Sequence, residues 1–320
     1  MVTAKYAAFW GGRLALICGL LSASLSPNAV NADTPPAISC SEVAGQQAPS
    51  STQAWLERSL VASHCYNFQA RAVTIDALGV RTLALSHRIR NGVRQQVVQH
   101  LDGPSVSVER RSLAGNLAHF TPGNDGSVSA SEAWASHVAK HYDISLQEEA
   151  RVAGRDAVEL RFSPLDQQRY QHTWWVDKET GLLLKHVMSD AEERVLETFQ
   201  ITQLHSPALY HGAIAERVTA ALEPQPWRAD WLPDGFVAQP PEPGQSLNDQ
   251  QIYSDGLATV SVFAAPVEQP LLNEGVHQLG VSAAAVALMS EGDQRWQLIG
   301  IGELPPDILQ RIVQSVTIER

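Results

Sequence analysis

Basic residues are scarce in this chain, and their scarcity excludes one class of partner. The 34 aspartates and glutamates outnumber the 23 lysines and arginines, which gives a formal net charge of −11. A protein that binds nucleic acid needs a basic surface to neutralise the phosphates. This charge balance therefore argues against a nucleic acid partner.

Long apolar runs are missing after the first 32 residues, where no stretch approaches the roughly 18 consecutive apolar residues of a transmembrane helix. Before that point, Lys5 and Arg13 precede an apolar segment, and Val30-Asn31-Ala32 supplies the small residues that signal peptidase requires. We therefore expect residues 1–32 to be a secretory signal peptide. Its removal takes away two basic residues and moves the formal charge to −13.

Cysteine is rare, with three residues in the chain, of which Cys40 and Cys65 follow the expected signal peptide. In an oxidising compartment these two either pair or stay as free thiols. A disulfide would fasten the amino-terminal segment to the first strand and stabilise the fold by roughly 3 kcal/mol. The sequence leaves both alternatives open.

Recognisable catalytic motifs are absent from the sequence. Gly300-Ile301-Gly302 is followed by Pro305 where a dinucleotide-binding loop needs glycine, and no metalloprotease, serine hydrolase or paired-cysteine zinc motif occurs. His137 and His141 lie four residues apart on a predicted helix, but no third ligand accompanies them, so we expect solvent-facing histidines. We expect no catalytic residue, no cofactor and no metal, and hence no enzyme.

The pattern of apolar residues predicts an α+β fold with a large antiparallel sheet. Trp55, Leu56 and Leu60 recur at helical spacing, and Ser129 with Glu132 forms a capping box that opens a second helix. The runs that follow each helix alternate apolar and polar residues and are joined by short turns, which make neighbouring strands antiparallel. We expect one long, curved sheet with the helices against its concave side.

Proline-rich stretches and predicted helices also divide the chain into segments. Pro35 to Ser51 is rich in Pro, Ser and Gln, and a second proline-rich stretch ends near Pro226. Near the carboxyl end, Pro305 and Pro306 mark the start of a helix with one apolar stripe. We predict a flexible lead at residues 33–51, a large amino-terminal domain at 52–205, a linker at 206–226 and a smaller α+β domain at 227–320.

A predicted hairpin from His172 to His186 is the most apolar part of the sheet. Its arms carry adjacent tryptophans and a run of three leucines, joined by a polar turn that ends in Gly181. Alternation sends one of the two indoles to each face, so we expect one of them to border an apolar groove; the alternative is an ordinary sheet interior. The candidate groove residues are Leu83, Leu85, Phe162, Trp174, Trp175, Leu184 and Phe199.

From about Trp55 to its carboxyl end the sequence resembles the MucB/RseB family. Seven short motifs occur in the order and at the spacing of that family, although each is weak alone. They are Leu101-Asp102-Gly103-Pro104, Phe120-Thr121-Pro122-Gly123, Val152-Ala153-Gly154-Arg155, Arg169-Tyr170, Trp231-Leu232-Pro233-Asp234-Gly235-Phe236, Tyr253-Ser254-Asp255-Gly256-Leu257 and Gly302-Glu303-Leu304-Pro305-Pro306. The long lead before Trp55 and the position of Cys65 depart from the family pattern.

The resemblance implies a fold and a function. The amino-terminal domain should be similar to the lipoprotein carriers LolA and LolB, a β half-barrel over an apolar groove. Members of the family act in the periplasm, where they bind the periplasmic part of a membrane-spanning anti-sigma factor of the MucA/RseA type. They shield it from regulated proteolysis and so restrain sigma-E (AlgU-type) stress transcription. Lipid-like ligands, lipopolysaccharide among them, or misfolded envelope molecules are expected to release it.

Two other classes of function compete with this interpretation. A periplasmic lipid or lipoprotein carrier of the LolA/LolB type would share the first domain but would not need the second. An exported hydrolase would need a nucleophile and a base that the sequence does not supply. The sequence leaves open whether the protein forms a homodimer.

Because the second domain is what plain lipid carriers lack, we expect it to provide much of the contact with the anti-sigma factor. Tyr253, Asp255 and Glu303 are the candidate partner-binding residues, since turn and strand-end side chains can contact a partner without serving the core. The alternative is that Ser254-Asp255-Gly256 only makes a tight turn and that Glu303 only precedes a helix.

Overall fold

A nine-stranded antiparallel sheet and two helices form the first part of the molecule. The computed structural model describes residues 37–38, 40–41, 47–113, 129–212, 214–215, 225–240 and 249–318. The expected signal peptide, about half of the flexible lead and about half of the linker lie outside these residues. The described residues belong to one compact unit.

The elements of this amino-terminal part follow one another in a simple order. They are β1 (Ala37–Ile38), α1 (Thr52–Cys65), β2 (Tyr66–Asp76), β3 (Gly79–Arg90), β4 (Val93–His100), β5 (Ser107–Leu113), α2 (Ala130–His141), β6 (Tyr142–Val152), β7 (Arg155–Pro164), β8 (Gln171–Asp177), β9 (Leu183–Ser189), β10 (Val195–Leu209) and β11 (Ile214–Ala215). The pair β1 and β11 forms a small sheet of its own.

In the large sheet the strand order is β5-β4-β3-β2-β10-β9-β8-β7-β6, with every neighbouring pair antiparallel. Most of these pairs are successive in the chain, as short turns require. The exception is β10, which returns to pair with β2. Strands β5 and β6 are the two edges, so the sheet stays open as in a half-barrel, and the predicted α+β class is confirmed.

Both helices begin where the sequence places an N-cap serine. The Ser51 hydroxyl oxygen accepts a hydrogen bond from the Ala54 N–H at 3.2 Å, and the Ser129 hydroxyl oxygen accepts one from the Glu132 N–H at 3.2 Å. Each helix ends where the backbone becomes extended and enters a strand. Among the described helices, none is long and apolar enough to cross a membrane.

The helices bury their apolar sides against the sheet. Trp55 and Leu56 of α1 and Trp134 and Val138 of α2 are at most 3% exposed and pack in one cluster with Phe162 of β7. A well-packed aromatic cluster of this size contributes several kcal/mol through the apolar area that it removes from water. It fixes both helices relative to the sheet.

A disulfide between Cys40 and Cys65 ties the amino-terminal segment to the end of α1. Both sulfur-bearing side chains are buried, and they pack with Val61, Leu182 and Ile214 in a separate apolar cluster. Of the two alternatives that the sequence left open, the structure therefore contains the paired form.

The carboxyl-terminal part is a second, smaller α+β unit. Its elements are β12 (Trp227–Ala229), β13 (Val237–Gln239), β14 (Gln250–Ser254), β15 (Thr259–Pro266), β16 (Gly275–Leu279), β17 (Ser282–Glu291), β18 (Gln294–Gly302), α3 (Pro306–Gln314) and β19 (Val316–Ile318). The main sheet has the order β13-β14-β15-β18-β17-β16, while β12 pairs with β19.

Helix α3 covers one face of this six-stranded sheet. It begins after Pro305, as the sequence predicted, and buries a stripe that includes Leu309 and Ile312. A Cβ atom at Gly300 would lie 2.5 Å from a methyl carbon of Val313. Glycine at this position of β18 therefore permits the close approach of helix and sheet.

Candidate functional site

An apolar cavity of about 330 Å³ lies over strands β4, β3, β2 and β10 of the large sheet. Cross-strand pairs place four of its wall residues on one face, since Leu85 is opposite Val98 and His87 is opposite Gln96. The apolar lining residues are Phe68, Leu85, Val97, Val98, Leu182, Leu183, Phe199 and Ile201, and the polar ones are Ser63, Ser86, His87 and Gln96. We call this space the apolar cavity.

Two of the seven predicted groove residues, Leu85 and Phe199, line the apolar cavity. Three others need correction, because Leu83, Phe162 and Leu184 are 6%, 0% and 0% exposed and belong to the packed core. Alternation along a strand shows which residues share a face, but it does not show whether that face is later covered by a helix.

The two tryptophans of the hairpin have different surroundings. Trp174 stacks near Trp134 of α2, with ring centroids 6.4 Å apart, and lies 5.0 Å from the Phe162 ring, so it fills space between sheet and helix. The Trp175 ring lies under the Lys185 ammonium at 4.3 Å. Neither indole lines the apolar cavity.

His87 is the most buried polar residue of the cavity wall, with 3% of its surface exposed. Its Nδ1 lies 2.7 Å from the Tyr66 carbonyl oxygen, which can only accept, so Nδ1 carries the proton. Burial lowers the pKa of His87 to about 4. The imidazole is therefore neutral near pH 7, with an unprotonated Nε2. Sequence reasoning missed His87, although its place two residues after Leu85 puts it on the same face.

A buried ion pair joins the two parts of the molecule. Arg169, in the loop before β8, donates to the Asp255 carboxylate at 2.7 Å, and both side chains are 0% exposed. The Tyr142 hydroxyl donates to the same carboxylate at 2.9 Å, and Arg169 also donates to the Asp234 carbonyl oxygen at 2.6 Å. We call Arg169–Asp255 the central ion pair.

The surroundings of the central ion pair keep the Arg169 guanidinium charged. Burial alone would lower the pKa of the Arg169 guanidinium, but the charge of Asp255 and its other neighbours raise it above its ordinary value. Burial and the Asp255 charge also raise the pKa of Tyr142, which therefore stays protonated and donates. The second Asp255 oxygen accepts from the backbone N–H groups of Leu257 and Ala258.

These contacts correct two of the candidate partner-binding residues. Asp255 is completely buried and Tyr253 is 8% exposed, so neither offers the accessible surface that we expected. Glu303 is half-buried, and burial raises the pKa of its carboxyl group. Burial raises the pKa of Glu197 on β10, and the nearby Glu303 carboxyl raises it further. Glu303 therefore faces the amino-terminal part.

Helix α2 meets two glycine turns of the carboxyl-terminal part. The Trp134 indole N–H donates to the Gly256 carbonyl oxygen at 3.0 Å, and Nε2 of His137 lies 2.8 Å from the Gly235 carbonyl oxygen. Both glycines have positive φ, and a Cβ at Gly256 would lie 2.8 Å from a methyl group of Val138. Only glycine fits this contact without strain.

The histidine pair on α2 thus has a different role from the one expected. His137 is half-buried and bonded to the opposite turn, while the side chain of His141 is 13% exposed and lies 3.8 Å from the Asp234 carboxylate. The expectation of solvent-facing histidines is wrong. Within the described ranges, no group of three or more His, Cys, Asp or Glu residues is arranged to hold a metal ion.

A cleft of about 940 Å³ opens beside the central ion pair, with walls from both parts. The amino-terminal part contributes the turns at Asp76 and Asp190, and the carboxyl-terminal part contributes Gln278 and the start of α3. The wall of this cleft is therefore shared by the two parts.

Family models of known proteins match both parts of the chain. Residues 51–228 match the family model described as the MucB/RseB N-terminal domain, and residues 221–317 match the MucB/RseB C-terminal domain. This chain belongs to the MucB/RseB family. The resemblance seen in the seven short motifs is therefore confirmed.

Relatives of known name cover most of the chain. The sigma factor AlgU regulatory protein MucB of Pseudomonas aeruginosa is 30% identical over 289 residues, which is 82% of this chain and 89% of the relative. The sigma-E factor regulatory protein RseB of Escherichia coli K12 is 23% identical over 302 residues, 85% of this chain and 92% of the relative.

Solved MucB structures share the fold. MucB in the Pseudomonas aeruginosa MucA/MucB complex is 30% identical, with a TM-score of 0.61 over 84% of this chain and 99% of that chain. MucB in complex with MucA(peri) is 27% identical, with a TM-score of 0.62 over 84% of this chain and all of that chain. The fold of the solved MucB chains thus extends over most of this chain.

Proposed function

We propose that this protein is a periplasmic regulator that binds the periplasmic part of a membrane-spanning anti-sigma factor. By occupying that segment it shields the anti-sigma factor from regulated proteolysis and restrains sigma-E-type stress transcription. The observation that carries this proposal is family membership across both parts of the chain, together with solved complexes of the relative MucB with MucA.

The second part of the chain favours this function over lipid or lipoprotein transport alone. A carrier needs only a sheet with an apolar cavity, whereas this molecule keeps a second unit fixed to that sheet by the fully buried central ion pair. An arginine and a carboxylate without contact to solvent lose their hydration, so such a pair fixes the geometry of an interface more than it adds stability. Fixed geometry suits a protein whose output depends on how two units are arranged.

We assign the two parts different tasks. The amino-terminal part senses a lipid-like ligand in the apolar cavity, and the carboxyl-terminal part provides much of the contact with the anti-sigma factor. Because Tyr253 and Asp255 are buried, the contact uses other surface residues, and Asp255 acts by holding the two parts together. We propose no catalytic activity, since the regulators of this family act by binding.

Release of the partner has a modest energetic requirement. A ligand shifts the equilibrium only by the difference between its affinities for the partner-bound and free states. A tenfold loss of partner affinity requires about 1.4 kcal/mol of coupling. Because each methylene removed from water contributes about 0.8 kcal/mol, two methylenes bound only in the free state suffice.

Binding to the partner is tested with the exported chain and the periplasmic segment of the anti-sigma factor from the same organism. We expect a stable complex in which the segment resists the protease that initiates its destruction. Absence of binding, with the segment cleaved at the same rate in both samples, contradicts the proposal.

Ligand sensing is tested separately with a variant that fills the apolar cavity. Leu85→Trp places an indole in that space, and Leu78→Trp is the matched control, because Leu78 is 71% exposed at a turn. We expect all three proteins to bind the segment equally, and n-decanol to release it from the wild type and the control but not from Leu85→Trp. Equal release from all three proteins would place the sensing site outside the cavity.

A further inference from the structure

One wall of the apolar cavity is shared with the apolar cluster that surrounds the Cys40–Cys65 disulfide. Phe68 and Leu182 line the cavity and also pack in this cluster. The end of α1 contributes to both, since Ser63 lines the cavity and Cys65 is buried in the cluster. We call Ser63, Phe68 and Leu182 the α1 wall. Neither cysteine lines the cavity, so the disulfide lies behind this wall.

A short amino-terminal segment covers the same cluster. We call β1 together with Cys40 the strap. Its two attachments are the disulfide, which joins Cys40 to the end of α1, and β11, with which β1 forms two residue pairs. Cys40 and Ile214 of β11 are both buried and belong to the cluster. The strap therefore shields from solvent the residues on which the α1 wall rests.

The two attachments differ in strength. A ladder of two residue pairs is too short to hold the strap, because even an isolated two-stranded hairpin is only marginally stable in water. Elements held this weakly open locally while the rest of a protein stays folded. The disulfide is therefore what keeps the strap in place. Once this bond is broken, departure of the strap uncovers the cluster, which includes Val61 and Ala62 of α1, and apolar surface then continues from the cavity past Leu182.

We propose that the Cys40–Cys65 disulfide locks the strap behind the α1 wall and so limits the length of the aliphatic chain that the apolar cavity accepts. The oxidised protein takes chains that fit within about 330 Å³, whereas the reduced protein, with the strap released, takes longer ones. This inference rests on the proposed ligand-sensing function and adds to it a length limit under redox control.

Release of the strap requires thiol–disulfide exchange with a dithiol reductant. One thiolate of the reductant attacks a sulfur of the disulfide, so that the Cys40–Cys65 bond breaks and a mixed disulfide forms. The second thiolate of the reductant then displaces the protein sulfur and closes the reductant's own disulfide. Two electrons and two protons pass to the protein, which leaves Cys40 and Cys65 as thiols. Because both cysteines are buried, the exchange starts when β1 separates from β11 and exposes the bond.

The experiment measures how the affinity of the intact exported protein for n-alcohols depends on chain length. The probes are n-octanol, n-decanol, n-dodecanol and n-tetradecanol, and binding is followed by calorimetric titration with and without dithiothreitol. Each methylene that finds an apolar wall should strengthen binding about fourfold. We expect this gain to stop at a shorter chain in the oxidised protein than in the reduced one. Dithiothreitol acts on this disulfide alone, since Cys40 and Cys65 are the only cysteines after residue 32.

Two variants control for the reagent and for general loosening of the fold. The double variant Cys40→Ala/Cys65→Ala should bind like the reduced wild type and should not respond to dithiothreitol. Ile312→Val loosens the buried core of the carboxyl-terminal part, far along the chain from the strap. It should keep the length limit of the oxidised wild type and lose that limit only on reduction.

A second measurement needs no ligand. Hydrogen exchange followed by mass spectrometry reports on β11 and on Tyr210, whose N–H donates to the Cys65 carbonyl oxygen at 2.7 Å. Reduction should speed exchange in β11 and leave exchange in β7 and β8 unchanged.

The outcomes separate this inference from the function on which it rests. Unchanged exchange in β11 on reduction, or one common length limit for the oxidised and reduced proteins, overturns the lock. Loss of the limit in oxidised Ile312→Val also overturns it, because the limit would then follow general stability. If no alcohol binds to any form, the proposed ligand-sensing function fails and the lock fails with it. If the alcohols bind with the same limit throughout, only the lock fails.

Discussion

Asp255→Asn is the substitution that tests the central ion pair most directly. It keeps the shape of the side chain and one carbonyl oxygen, but it removes the negative charge that Arg169 contacts at 2.7 Å. Because both side chains are 0% exposed, water cannot replace the lost carboxylate without opening the interface. The Arg169 guanidinium then stays buried with less negative charge around it.

The expected loss of stability follows from what remains around Arg169. Removing one member of a buried ion pair costs about 3–5 kcal/mol. Arg169 keeps the Asp166 carboxylate at 3.0 Å and the Asp234 carbonyl oxygen at 2.6 Å, so we expect the lower end of that range, about 3 kcal/mol. Typical domains are stable by 5–15 kcal/mol, which makes this loss large enough to measure without preventing folding.

Urea unfolding is the suitable assay, with tryptophan fluorescence and near-ultraviolet circular dichroism followed together. Since the pair joins the two parts, Asp255→Asn should also uncouple them, so that the two probes no longer give the same midpoint. Glu192→Gln is the matched control, because Glu192 and its partner Arg194 have side chains that are 68% and 74% exposed. Such a surface pair contributes at most about 1 kcal/mol. If the two variants lost the same stability and both kept coincident transitions, the central ion pair would not fix the interface.

Two further predictions concern pH and redox state. Burial lowers the folded-state pKa of four histidines to about 3 or 4, below the ordinary value near 6.5, so the unfolded chain binds protons first as the pH falls. The free energy of unfolding should be at its full value above about pH 6.5. Below that pH it should fall by up to about 1.4 kcal/mol per pH unit for each imidazole that titrates independently. A urea midpoint unchanged between about pH 7.5 and 5.5 would contradict this prediction. The four histidines are His64, His87, His172 and His186. The Cys40–Cys65 disulfide joins two residues that are 25 positions apart in the sequence. Its reduction should lower the free energy of unfolding by about 3 kcal/mol, and the melting temperature with it. Titration of the native oxidised protein should find no thiol at Cys40 or Cys65, and detection of two free thiols there would remove this stabilisation.

Much of the local structure could be predicted because its causes lie within a few residues. Ser51 and Ser129 cap helices through hydrogen bonds to N–H groups three residues on. Asn91 and Gly92 both adopt positive φ in the tight turn between β3 and β4, which is why that dipeptide predicts a hairpin. Alternating apolar residues and short turns then require antiparallel neighbours. These steps led to the fold class, and the seven motifs led to the family.

Only the tertiary structure decided which groups are buried. Nothing in the sequence around Arg169 shows that it meets Asp255, 86 residues further on, with no exposed surface on either side chain. His137 and His141 read as solvent-facing, yet they meet the Gly235 turn, whose position depends on the packing of a separate unit. Leu85 and Phe162 have equivalent places in alternating strands, but one borders a cavity and the other lies under two helices. Backbone conformation is set by short-range sterics and hydrogen bonds, whereas burial and the pairing of charges depend on which surfaces meet once the chain has folded.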